Sequence, residues 1–257
     1  VNAIMEDNSF GDAGARVVIE EFMEGEEASL LAFTDGKTIR PMISAQDHKR
    51  AFDGDKGPNT GGMGTYAPAP VMTPEMIDRA TEEILKPTLA AMAKEGRPYS
   101  GCLYLGLMIT EEGPKVVEFN ARFGDPETQV VLPLLDVDLI QIMCACADGT
   151  LADVPIHWKD GAAVCVVLTA GGYPASYEKG NEIHGIADAE KTGALVFHAG
   201  TAEKEGKLVT NGGRVLGVVG MGEDIASAVH SAYAAVEKIS FKDAYYRKDI
   251  AHRALHR

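Results

Sequence analysis

Nowhere in the 257 residues does an apolar run approach the ~20 positions needed to span a bilayer. Nothing near the N-terminus reads as a signal peptide, so a cytoplasmic protein without a membrane partner is expected. Positive charge is scarce: 24 Lys and Arg against 38 Asp and Glu leave a formal net charge of −14. Nucleic acid demands a basic face and is thereby excluded as the main partner, whereas small phosphorylated ligands need only a local cluster of donors. Cysteine is limited to Cys102, Cys144, Cys146 and Cys165, without the paired clusters or spaced histidines that zinc requires. All four are expected as buried thiols packing like small hydrophobes. An initiating methionine is also missing. The chain starts at Val1 and enters a turn-rich stretch almost at once, which leads us to expect a piece of a longer protein.

What is present is ordinary for a globular protein with room for two domains: 46% hydrophobic and 24% charged residues. Residues 15–44 predict two or three strands, at 17–19, at 29–34, and a third after the turn Asp35-Gly36. Glycine and proline then break every periodicity over 45–70, which reads as a long loop of the functional or disordered kind. Thr73-Pro74-Glu75 opens a helix with a cap, a first-turn proline and an acid at the positive end of the dipole. Its apolar residues recur at helical spacing, with a kink expected at Pro87. "GCLYLGLMIT" and "PKVVEFN" form a hairpin, and residues 128–146 read as mostly helical with a break at Pro133. Short polar residues and prolines near 148–160 mark a domain boundary, beyond which strands and a helix over 224–238 make a compact α+β module.

Four constellations could carry chemistry. Glu118 and Asn120 lie two apart on a strand, so their side chains share a face. Two hard oxygen ligands there suit Mg²⁺ completed by phosphates and water; the alternative is a strand end that meets solvent. In "IEEFMEGEEAS", Glu20, Glu21, Glu24, Glu26 and Glu27 crowd one segment. Such a run is either a solvated face or, beside Ile19 and Phe22, a partly buried set of acceptors for sugar hydroxyls or an adenine amino group. "GPNTGGMG" clusters glycines whose N–H groups could form an anion nest, although it lacks both the Walker ending and G-x-G-x-x-G. The preceding "QDHKR" adds an imidazole, an ammonium and a guanidinium. In "RFGDPETQ", Arg122 could fork onto a carboxylate or phosphate, while Asp125-Pro126-Glu127 could equally be a plain helix start.

Taken in order along the chain, "IEEFMEGEEAS", "SAQDHKR", "GPNTGGMG", "EFNARFGDPETQ", "TAGGYP", "IHG", "VFHAGT" and "TNGGRVL" resemble the phosphoribosylamine–glycine ligase family of ATP-grasp enzymes. The resemblance implies an α+β fold: residues 1–20 as the end of a lid, 21–150 as the large ATP-grasp subdomain with an antiparallel sheet and helices, and 151–257 as a small C-terminal α+β domain. It implies that an N-terminal domain and most of the lid precede this chain in intact members, so the chain alone would be inactive. For the site, it implies Glu20, Glu21 and Met23 at the adenine edge, Glu27 at the ribose, and Val117 against the adenine face. Glu118 and Asn120 would hold Mg²⁺ or Mn²⁺. Arg122, Asp125 and Glu127 would be catalytic. Gln46, Asp47, His48, Lys49 and Arg50, with Asn59, Thr60, Gly61, Gly62 and Gly64, would line the pocket for glycine and 5-phosphoribosylamine. One departure from the wider ATP-grasp pattern is that "GCLYLGLMIT" carries no acidic metal ligand.

The implied reaction joins glycine to 5-phosphoribosylamine through glycyl phosphate at the expense of ATP, in a monomer or homodimer. Two other readings compete. Another ATP-grasp carboxylate–amine ligase or carboxylase would share the E-x-N strand end, and a non-catalytic nucleotide-binding module would bind ATP without turnover.

Overall fold

The computed structural model describes residues 2–7 and 11–257. Residues 1 and 8–10, part of the segment expected as the end of a lid, lie outside the described residues. Along them run β1 (Glu26–Thr34), β2 (Ile39–Pro41), β3 (Gln46–Asp47), β4 (Arg50–Phe52), β5 (Lys56–Asn59), β6 (Gly64–Ala67), β7 (Gly101–Thr110), β8 (Gly113–Asn120), β9 (Ala162–Thr169), β10 (Leu195–His198), β11 (Thr201–Lys204), β12 (Lys207–Thr210) and β13 (Arg214–Gly222). Two antiparallel sheets organise them. The first has the order β2-β1-β7-β8, the second β10-β13-β9-β6-β3, and β4–β5 and β11–β12 are separate hairpins.

Strand alternation decides what each sheet face meets. On β1 and β7, Ala28, Leu30 and Ala32 with Leu103, Leu105 and Leu107 point outward, to the helical segment 74–94. Leu31, Phe33, Cys102 and Tyr104 point inward, to a core shared with the helices Thr128–Val131 and Leu139–Asp148 and with Cys165, Val167 and Val219 of the second sheet. Helix Ile225–Val236, capped by Asp224, covers the far face of that second sheet. No helix among the described residues is long and apolar enough to cross a membrane.

The α+β expectation and the 101–120 hairpin hold. Thr73 caps its helix through Met76 N (3.3 Å), and the helical path continues past Pro87 because a π-helical turn, Thr81–Leu85, absorbs the missing donor. The break expected at Pro133 spans the whole stretch from Leu132 to Asp138, through a short 3₁₀ turn.

Other expectations need correction. Residues 17–19 form no strand: Val18 and Ile19 are exposed, and among the described residues no ladder partner lies alongside, so β-propensity has nothing to act on. Residues 45–70 are not one loop. They contain β3 to β6, and β6, with the sequence Gly-Thr-Tyr-Ala, is wholly buried because it pairs with β9. The second sheet therefore joins stretches from both sides of residues 148–160. Cys144 is exposed, since its helix packs through Ile142, Ala145 and Cys146 and leaves Ile140 and Met143 facing outward.

The chain's C-terminal end is tied to the β4–β5 hairpin by Arg247, whose side chain is fully buried. It forks onto Asp249 (2.7 and 2.8 Å) and donates through Nη1 to Asp55 (2.9 Å) and the Arg50 carbonyl (3.1 Å). The adjoining His48 imidazole, with Arg253 and Arg247, holds the Asp55 carboxyl well below the usual carboxylate range. Removing one partner from a buried ion cluster strands the others. Arg247→Ala is expected to lower the unfolding free energy by about 3–5 kcal/mol, read from urea denaturation; a loss below about 1 kcal/mol would mean the cluster contributes no more than a surface pair.

Candidate functional site

Ser29, Tyr104, Glu118 and Asn120 stand on the inner face of the first sheet, and a β-bulge puts two of them there. Val116 pairs with Leu107 and Glu118 with Gly106, which leaves Val117 as an extra residue on β8. Val116 sides with the outward Leu107. Without the bulge, Glu118, two residues on, would face outward too. The extra residue reverses the alternation, so Glu118 and Asn120 face inward beside Gly106 and Tyr104. Asn120 Nδ2 donates to Glu118 Oε1 at 3.1 Å, which brings the expected pair together. Gly106 makes room for it, because a Cβ there would lie 2.9 Å from Glu118 Cγ.

Deeper in the cleft, Glu127 is buried. The Tyr104 hydroxyl donates to its Oε1 at 2.9 Å, and Ser29 Oγ lies 3.1 Å from the same oxygen and 2.8 Å from the phenol. Burial, with the Glu127 carboxylate beside it, pushes the Tyr104 phenol well above its ordinary value. Asp47 shares this cleft with Lys49, Thr60, Arg122 and Asp125, around about 170 Å³. Lys49 Nζ reaches Glu27 Oε2 at 2.8 Å.

Two further depressions follow, each sharing lining residues with the one before it. One, of about 350 Å³, runs past Glu27, Lys49, Arg50 and Asn59 to Gly25 and Glu26. The next, of about 590 Å³, lies between the 21–26 segment and the turn 109–112, with Glu21 and Met23 on its wall. Gly25 and Glu26, then Asp47 and Lys49, link the three in series as a trough from the expected adenine edge to Glu118 and Asn120. Glu20 and Val117 lie outside its lining; Val117 is 39% exposed.

The remaining expected residues are placed as follows. Gln46 is buried and donates to the Glu27 carbonyl at 2.6 Å while accepting from Tyr66. His48 is fully buried and accepts from Ala251 N at 2.9 Å, on the side of the C-terminal segment. Arg50 donates to the Gly57 carbonyl (2.8 Å) and Arg122 to the Phe123 carbonyl (2.9 Å). The Thr60 hydroxyl donates to the Lys49 carbonyl (2.8 Å) and accepts from Gly62 N (3.0 Å), and Gly61 N donates to the Tyr173 hydroxyl (3.1 Å). Two amides of the expected anion nest are thus engaged by side chains. Gly64 sits in β6, where a Cβ would lie 2.7 Å from the Cys165 carbonyl oxygen. Asp125 does not cap a helix: its carboxylate accepts from Gln129 Nε2 at 2.9 Å and meets Arg214.

Arg214, Tyr173, Tyr104 and Ser29 escaped the sequence reading as site residues. "TNGGRVL" and "TAGGYP" were legible as motifs, but nothing in a linear sequence brings Arg214 to Asp125, 89 positions away.

Comparison with known proteins places this arrangement. Residues 1–128 match the phosphoribosylglycinamide synthetase ATP-grasp (A) domain and residues 163–253 the C domain of the same synthetase. The chain belongs to the phosphoribosylglycinamide synthetase family. It is 54% identical to phosphoribosylamine–glycine ligase of Synechocystis sp., over 96% of this chain and 59% of that protein. It is 56% identical to the chicken (Gallus gallus) trifunctional purine biosynthetic protein adenosine-3, over 99% of this chain and 26% of that protein. The crystal structure of phosphoribosylamine–glycine ligase from Thermotoga maritima superposes with a TM-score of 0.82 at 42% identity, covering 90% of this chain and 57% of that one. The chain thus spans about three-fifths of the single-function synthetases it matches, and about a quarter of the trifunctional one.

A divalent cation fits the donor set of this cleft in one respect: Glu118 and Asn120 present a carboxylate and an amide oxygen on a single face. No group of three or more His, Cys, Asp or Glu among the described residues could hold a metal by itself, so the other positions would fall to phosphates and water.

Burial shifts two neighbours in opposite directions. It raises the Asp47 carboxyl to about 7, with Glu127 adding to the effect, and lowers the His48 imidazole to about 4. Asp47 contributes stability that is present below pH ~3.8 and lost as pH rises through about 7. His48 contributes stability that is present above pH ~6.5 and lost as pH falls through about 4. Asp47→Asn is therefore expected to raise the thermal midpoint at pH 8 and to leave it unchanged near pH ~3.5. Equal shifts at both values would show that the carboxyl is not held protonated.

Proposed function

We propose that the protein containing this chain ligates glycine to 5-phosphoribosylamine, giving glycinamide ribonucleotide, ADP and phosphate. Family membership supports the reaction class. The observation that carries the reading within this chain is the series of adjoining polar depressions that ends at Glu118, Asn120, Arg122 and the Asp125–Glu127 turn. Its polar lining suits a nucleoside triphosphate with the phosphates toward Glu118, and the end at Arg122 and Asp125 suits two small polar acceptors.

In the first step a glycine carboxylate oxygen attacks the γ-phosphorus of ATP, and the bond to the β-phosphate oxygen breaks to release ADP. In the second, the phosphoribosylamine nitrogen attacks the carbonyl carbon of glycyl phosphate. A C–N bond forms, phosphate leaves and the nitrogen loses a proton. Glu118 and Asn120 would hold Mg²⁺ or Mn²⁺, whose charge offsets that of the transferring phosphoryl group. Arg122 offers a guanidinium at the same end of the cleft, and Glu27 a carboxylate where the ribose hydroxyls would lie. Gln46 keeps the Glu27 backbone in place. Asp125 and Glu127 would receive the amine-bearing substrates, and the enclosed wall of Tyr104, Ser29 and Glu127 limits water at the acyl phosphate. A cytoplasmic monomer or homodimer belongs to the same reading.

ADP release by the full-length protein, with MgATP present and glycine and phosphoribosylamine omitted in turn, tests it. Turnover is expected to require both substrates and to fall about a hundred-fold or more in Glu118→Ala, the scale of losing one preorganised electrostatic contact. Turnover indifferent to glycine would leave another ATP-grasp ligase, and ATP binding without any ADP release would leave a nucleotide-binding module.

A further inference from the structure

Arg214 belongs to the C-domain match, yet its side chain reaches Gly61 and Asp125, two residues that line the cleft. A second β-bulge sends it there. Arg214 pairs with Thr169 and Leu216 with Leu168, so Val215 is an extra residue on β13. Leu216 faces the core beneath helix Ile225–Val236. Unbulged alternation would point Arg214 the same way; the extra residue turns it to the opposite face. There Nη1 donates to the carbonyls of Gly61 (2.7 Å) and Asp125 (2.9 Å), and the guanidinium forks onto the Asp125 carboxylate at 3.2 and 3.4 Å. Gly61 admits the guanidinium because a Cβ there would lie 2.9 Å from Arg214 Cζ. Tyr173, also beyond residue 150, takes the Gly61 amide from the other side at 3.1 Å.

We propose that Arg214 is a positioning residue for the ligation, fixing the Asp125 carboxylate and the Gly61–Gly62 turn so that the cleft can receive an amine-bearing substrate. The proposal rests on the ligase reading. Asp125 lines the cleft with 52% of its side chain exposed, while its carboxylate accepts from Arg214 and Gln129. A carboxylate held in this way suits an ammonium group such as that of glycine. Arg214 itself is 22% exposed and acts through Asp125 and the turn. The site is then incomplete without the C-terminal module.

Two measurements test this. In the full-length protein, Arg214→Ala should raise KM for glycine or phosphoribosylamine about ten-fold or more, the scale of a charge-assisted contact, and leave KM for ATP within about two-fold. Arg214→Lys should restore part of the loss, and Arg214→Ala combined with Asp125→Asn should cost no more than Asp125→Asn alone. A change confined to ATP, no change, or additive losses would overturn the proposal. The second measurement needs no turnover. In Arg214→Ala, amide exchange at 60–62 and 124–127 should accelerate about ten-fold or more while the rest of the chain keeps its protection. Unchanged exchange there would overturn the proposal whatever the kinetics. If the unsubstituted protein shows no glycine-dependent turnover, the ligase reading has failed, and the exchange result alone decides whether Arg214 holds the turn.

Discussion

The pairing of β6 with β9 is the constraint on which the architecture depends. Gly64 to Ala67 lie against Val166 to Ala163, both strands wholly buried, so the backbone groups of each have no water to turn to. This ladder fastens the segment after the first sheet's β2 into the second sheet. The 57–64 turn is carried with it to within reach of Arg214 and Tyr173. The shared core of Phe33, Ile142, Val167 and Val219 then fills the space between the sheets. Cleft and core are consequences of one decision: the chain crosses from one sheet to the other before residue 64 and crosses back after residue 67.

In each sheet one bulge turns polar side chains toward the cleft. A regular strand can offer a face only every second residue, and on β8 and β13 that face is already committed to packing. An extra residue at Val117 frees Glu118 and Asn120 for the cleft; an extra residue at Val215 does the same for Arg214. The cost is local, an unpaired backbone position in each ladder, and the gain is that rigid strands hold Glu118, Asn120 and Arg214.

This explains what could be read from the sequence. The 26–34 strand, the 101–120 hairpin and the capped helix at Thr73 were legible because apolar periodicity and turn chemistry are local signals. That Glu118 and Asn120 share a face was also legible, since a spacing of two fixes it; which face they share was not, because a bulge depends on the partner strand. The 45–70 stretch misled for a related reason. Strands of two to four residues carry too little periodicity to register, and β6 owes its burial to β9, about a hundred residues downstream. Residues 17–19 misled in the other direction, offering propensity where no described ladder accepts it.

The "QDHKR" cluster shows how burial rewrites charge. In sequence it offers an acid, an imidazole, an ammonium and a guanidinium. In the fold, burial drives Asp47 toward its protonated form near neutral pH and His48 toward its neutral form, while Lys49 is paired with Glu27 and Arg50 is turned to the Gly57 carbonyl. Little of the apparent positive charge is left free to meet a phosphate. Arg122, in contrast, lies in the cleft bonded to a backbone carbonyl and, among the described residues, to no carboxylate. In a chain with a net charge of −14, the ligase reading would have a polyphosphate in this trough offset chiefly by Arg122 and by a cation, were Glu118 and Asn120 to hold one. Lys49 could join them only by leaving Glu27, and a ribose hydroxyl bonding to that carboxylate would weaken its hold on the ammonium. Under the ligase reading, ribose recognition by Glu27 would thereby be coupled, through a single 2.8 Å ion pair, to the charge that Lys49 can offer a phosphate.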